Sequence, residues 1–81
     1  MYSKEEFGRE LKMRLIEKQD AAEIGHWSYS IYLKYIDDID LEFRELLLAL
    51  NTMEDGPEFI LTYDELNFIA DNLILGKIVK I

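Results

Sequence analysis

The chain has 81 residues, a formal charge of -8, 49% hydrophobic and 32% charged residues, and no cysteine. That length holds one domain, residues 1–81, which buries roughly 60% of its unfolded surface, and the hydrophobic content argues against a disordered chain. Missing cysteines favour a reducing compartment, and the negative charge disfavours contact with nucleic-acid phosphates.

The first helix is announced by Ser3-Lys4-Glu5-Glu6, which has the form of a capping box, with Tyr2 and Phe7 spaced for a hydrophobic staple. Phe7, Leu11 and Leu15 recur at four-residue spacing with Ile16 alongside, so a helix is expected near residues 4–18. Gly8 within it costs ~1 kcal/mol relative to alanine. Its charges, Lys4, Arg9, Lys12, Arg14 and Lys18 among Glu5, Glu6, Glu10 and Glu17, read as a solvated face, with Glu10 and Arg14 oriented for an i,i+4 pair.

Asp20 and Glu23 mark a second helix start. Ile24, Trp27, Ile31 and Tyr35 then share a helical face, although Trp27, Tyr29, Ile31, Leu33 and Tyr35 also alternate as in a strand. The length of the uninterrupted segment, residues 21–36, decides for helix. A third helix is expected to start in Asp37-Asp38-Ile39-Asp40, where carboxylates complement a helix N-terminus. Its stripe is Ile39, Phe43, Leu46, Leu47 and Leu50, with Met53 in the last turn and Gly56-Pro57 as the stop.

Thr62-Tyr63-Asp64-Glu65 is another capping-box pattern, preceding a fourth stripe of Leu66, Ile69, Ala70, Leu73 and Ile74 with Gly76 as its C-cap. The tail Lys77-Ile78-Val79-Lys80-Ile81 has β character and either pairs with Phe59-Ile60-Leu61 or packs as an extended strap. The pattern predicts an all-α protein, a compact antiparallel four-helix bundle with a short extended tail.

No secretory leader follows Met1, and the longest aliphatic run, Leu46-Leu47-Leu48-Ala49-Leu50, is too short to span a bilayer. A cytoplasmic protein with no membrane contact is therefore expected. Candidate chemistry is sparse. Glu23-Ile24-Gly25-His26 has the Glu-x-x-His form of di-iron bundles, but His26 is the sole histidine and such sites need two motifs. An EF-hand starting at Asp38 fails, since its glycine and glutamate positions hold Phe43 and Ala49. Ser30 lies one helical turn from His26 without an oxyanion loop or a third group. No catalytic residue, metal or cofactor is expected, and the chain is read as a non-enzyme.

The charge distribution carries the functional reading. Residues 19–76 hold thirteen acids against Lys34 and Arg44, while residues 1–18 are nearly balanced. The field would attract a basic protein. Asp37, Asp38, Asp40 and Glu42 would meet its cations, with Tyr32 or Tyr35 as aromatic anchors, and Glu54, Asp55 and Glu58 form a second negative patch. The alternative is a self-associating structural or adaptor module, a homodimer formed through the aromatic face of the second helix.

In size, acidity, lack of cysteine and four-helix pattern the chain resembles the small immunity proteins that bacteria make against their own nuclease toxins, the colicin nuclease immunity proteins. The resemblance implies tight binding of a basic toxin domain through an acidic surface with exposed tyrosines. That family's adjacent tyrosine pair has no counterpart here, where Tyr32 and Tyr35 are separated, so no binding residue is transferred from it.

Overall fold

Four side-chain caps set where the helices start. In the computed structural model, which describes residues 2–81, α1 spans Lys4–Ile16, α2 Ala21–Tyr35, α3 Leu41–Asn51 and α4 Tyr63–Ile74. Ser3 accepts the Glu6 N–H at 3.1 Å, Asp20 the Glu23 N–H at 2.9 Å, Asp40 the Phe43 N–H at 2.9 Å and Thr62 the Glu65 N–H at 3.1 Å. Each cap satisfies an otherwise orphaned donor and is worth ~1 kcal/mol. The Thr62 box closes in both directions, the Glu65 carboxylate accepting the Thr62 N–H at 2.9 Å. The Ser3 box does not: the Glu6 carboxylate takes the Ser3 hydroxyl instead.

Several boundaries differ from expectation. α1 ends at Ile16 because Lys18 adopts a left-handed conformation, φ 58°. The Lys18 N–H then bonds to the Leu15 carbonyl and the Gln19 N–H to the Arg14 carbonyl, both at 3.1 Å. α4 closes with the same pair of bonds, from Gly76 to Leu73 and from Lys77 to Asn72, with Gly76 in the left-handed position that glycine normally fills. Residues 36–38 form a turn ahead of α3, whose cap is Asp40. α3 gives way at Thr52 to a 3-10 turn, Thr52–Glu54, which carries Met53 into the core. Gly56-Pro57 therefore does not cap α3; it opens a second 3-10 turn, Pro57–Phe59.

The helices run antiparallel, as the contacts between them show. Lys12 on α1 pairs with Asp71 on α4 at 2.8 Å, while the Tyr63 hydroxyl at the start of α4 donates to the Gln19 carbonyl just past the end of α1. α1 packs most closely on α4, and α2 on α3. Each of these pairs meets at a glycine. A Cβ on Gly8 would lie 2.7 Å from the Leu73 Cβ and 3.0 Å from the Ala70 carbonyl oxygen. A Cβ on Gly25 would lie 3.0 Å from the Leu50 carbonyl oxygen. The local helix cost of these glycines is thus exchanged for close backbone approach.

The core joins Phe7, Leu11 and Leu15 of α1 to Ile24 and Ile31 of α2, Phe43 to Leu50 of α3 and Leu66 to Leu73 of α4. Its radius of gyration, 11.3 Å, matches the ~12 Å expected for a compact chain of this length. Ser28 is the one polar side chain buried in it among the described residues, and its hydroxyl is satisfied by the Ile24 carbonyl at 2.9 Å.

A column of aromatic rings crosses the bundle. Phe7 stacks on Trp27 at 4.5 Å and meets Phe43 edge-on at 5.7 Å, and Tyr2 stacks on Tyr35 at 4.4 Å. Tyr2 and Phe7 thus both contact Phe43, at 6.3 and 5.7 Å. The Arg14 guanidinium sits 4.1 Å over Trp27 and donates to Gln19, so it is not the partner expected for Glu10. Glu10 instead accepts the Tyr2 hydroxyl.

The tail is a strap rather than a strand. Among the described residues no hydrogen bond joins 77–81 to 59–61. Ile78 and Val79 are half-buried against the core, with Leu46 and Ala49 of α3 to one side and Leu61 and Ile69 to the other. No helix is long and apolar enough to cross a membrane among the described residues.

Candidate functional site

The acidic residues singled out by sequence divide between the two ends of α3. An eleven-residue helix is ~16 Å long, so the turn carrying Asp37, Asp38, Asp40 and Glu42 and the segment carrying Glu54, Asp55 and Glu58 are separate surfaces.

The turn between α2 and α3 is held rigidly from below. Ile39 is buried as its anchor, the Asp38 N–H donates to the Tyr35 carbonyl at 2.8 Å, and Arg44 Nε donates to the Ile39 carbonyl at 3.1 Å. With the backbone fixed this way, Asp37 and Asp38 point into solvent, and Asp40 is exposed while capping α3. Glu42 is exposed in the first turn of α3. Leu41, between the last two, is also exposed.

The tyrosines beside this turn are partly committed to packing. Tyr35 is half-buried with one face on Tyr2, and Lys34 Nζ lies 5.3 Å from its ring centre. Tyr32 is half-buried against the core and stacks on Tyr29 at 5.9 Å. Tyr29 is the most exposed of the three, and with Tyr32 it presents a stacked aromatic pair on α2.

At the other end of α3, Glu54 is engaged within the molecule, its carboxylate 3.4 Å from His26 Nδ1. Asp55 and Glu58 are exposed. The caps of α2 and α4 lie at this same end, so Asp20, Glu23, Asp64 and Glu65 add to the negative field there. His26 is exposed, and the Ser30 hydroxyl is spent on the Trp27 carbonyl at 2.6 Å, which leaves no Ser–His arrangement. Among the described residues, no three His, Asp or Glu side chains converge as metal ligands would.

Ion pairing leaves most of this charge unneutralised. Of the 17 acidic side chains, Asp71 alone lies within 4 Å of a lysine or arginine nitrogen among the described residues, and Glu54 faces the His26 ring. Burial first, and then the adjacent Glu10 carboxylate, push the Tyr2 phenol well above the ordinary tyrosine range.

Exposed apolar residues form a further feature. Phe59, Ile60, Tyr63, Phe68 and Ile81 are all substantially exposed. For Phe68 the signal was present in the sequence, because it stands off the inward stripe of Leu66, Ile69, Ala70 and Leu73 and the fold does not need it. Leu41 stands off the α3 stripe in the same way. Comparison with family models, with curated proteins and with solved structures finds no match.

Proposed function

We propose that this chain is a non-enzymatic acidic binding protein that neutralises or regulates a basic protein partner, most concretely an immunity protein that blocks a bacterial toxin. The observation that supports this reading is the unneutralised carboxylate field on a rigid bundle. Acids without internal ion pairs attract cations at long range, and they lose no such pair on binding. At the α2–α3 turn the carboxylates of Asp37, Asp38, Asp40 and Glu42 meet lysines and arginines, while the Tyr29–Tyr32 pair and the edge of Tyr35 supply apolar contact. Inhibition is by steric and electrostatic occlusion, which requires no catalytic group. The overall resemblance to the nuclease immunity proteins favours a toxin as the partner.

The test is affinity capture of the tagged protein from the cells that make it, at low and high salt, read by mass spectrometry. The expected result is one basic protein in near-stoichiometric yield that is weakened or lost as salt rises. Recovery of the protein alone, or of a salt-insensitive complex with itself, would overturn the reading in favour of self-assembly.

A further inference from the structure

We propose that the furrow between α4 and the C-terminal strap is a docking groove for an amphipathic helix of a basic protein. The inference rests on the reading that the partner is basic, and it assigns that partner a second, apolar point of attachment away from the acidic turn.

The groove arises from how the tail packs. After Gly76 the chain reverses and runs back beside α4, so that Val79, Lys80 and Ile81 come to lie against Leu61, Phe68 and Ile69. The strap closes the interior but leaves its own outer side chains and those of α4 uncovered. Phe68 remains 60% exposed, Ile81 58% and the adjoining Ile60 49%. None of these three completes the core, and Phe68 and Ile81 together with the half-buried Leu61 and Val79 make the apolar floor of the furrow. Soluble domains seldom leave such a patch open unless something covers it.

Charge selects the occupant. Asp64 and Glu65 line the furrow on the α4 side; both are exposed and lie in no ion pair among the described residues. Lys80, on the strap, is the single cation lining the furrow. An apolar floor with an acidic edge matches a helix whose apolar stripe is bordered by lysine and arginine, the helix-in-groove mode of recognition. A second copy of this chain fits less well, because each copy carries -8 and would bring one acidic edge against another.

The test uses the intact protein, 15N-labelled, and three synthetic peptides of about 18 residues, five helical turns. One carries leucine at i, i+3, i+4 and i+7 with lysine elsewhere; the second replaces lysine by glutamate; the third keeps the first composition in scrambled order. The leucine–lysine helix is expected to shift the amides of Leu61, Phe68, Ile69, Val79 and Ile81, with the other two peptides binding at least about tenfold more weakly. Phe68→Ser, at an exposed position, is expected to weaken the first peptide about tenfold. Charge reversal by Asp64→Lys is expected to do the same, with the circular dichroism unchanged in both variants. Shifts centred on Asp37 to Glu42, or affinity indifferent to Phe68→Ser, would overturn the groove while leaving the basic-partner reading to stand on its own capture experiment. Concentration-dependent shifts at the groove without peptide would overturn it too, replacing the foreign helix by a second copy.

Discussion

Lys18 sits in a conformation made for glycine. A side chain in the left-handed region costs roughly 1–2 kcal/mol in backbone sterics, part of which a glycine returns as entropy lost on folding. Lys18→Gly is therefore expected to stabilise the protein by about 0.5–1 kcal/mol in urea unfolding. A loss of stability would show that the lysine side chain makes a contact worth more than the strain. Tyr2 makes the residue-scale case for pH. Its phenol is held neutral in the fold by burial and by the Glu10 carboxylate, well above the usual range, whereas in the unfolded chain it ionises near pH 10. The folded state keeps a proton that the unfolded state gives up, so this contribution is fully present below about pH 10 and is lost as pH rises beyond it. Stability is expected to decline above that point, and to decline less steeply in Tyr2→Phe. Identical slopes for the two proteins in alkaline urea titrations would contradict the assignment.

At the scale of elements, the packing of α1 on α4 depends on Gly8. Alanine there gains ~1 kcal/mol of helix propensity but places a methyl 2.7 Å from the Leu73 Cβ and 3.0 Å from backbone oxygen. Overpacking of this kind typically costs 1–3 kcal/mol. Gly8→Ala is expected to be destabilising by about 1–2 kcal/mol net, against the direction that propensity alone dictates. A stabilised variant would mean that the helices separate easily. The same residues show what a sequence can and cannot convey. The starts of α2 and α4 were legible because Asp20 and Thr62 sit where a side-chain oxygen must meet an orphan N–H. The end of α1 was not, because nothing about Lys18 signals a left-handed turn. The ambiguity of residues 27–35 came from α2 being apolar on several faces: Ile24 and Ile31 enter the core, Trp27 and Tyr35 stack at its edge, and Tyr29 and Leu33 face outward. Gly8 and Gly25 could be seen as costs in isolation, but the close approaches they permit are tertiary and had no local sign.

Over the whole molecule, the fold class followed from periodicity, but the arrangement of the charges did not. The nine candidate binding residues, which read as two patches in the sequence, are placed by α3 at opposite ends of the bundle. Tyr35 turns part of its surface to Tyr2, and Glu54 turns toward His26. The rigid carboxylate turn at Asp37 to Glu42 lies at one end, and the negative field at Asp55, Glu58 and Asp20 lies at the other. Under the proposed function such a molecule would steer a basic partner from a distance and meet it over one of two faces. The most direct test is the association rate of the captured partner as a function of salt, for the native protein and for two charge-reversed variants, Asp37→Lys with Asp38→Lys and Asp55→Lys with Glu58→Lys. The native rate should fall steeply with ionic strength, and the Asp37–Asp38 reversal should slow association about tenfold at low salt and flatten that slope while the other pair has a smaller effect. Association that is indifferent to salt and to both reversals would contradict the account.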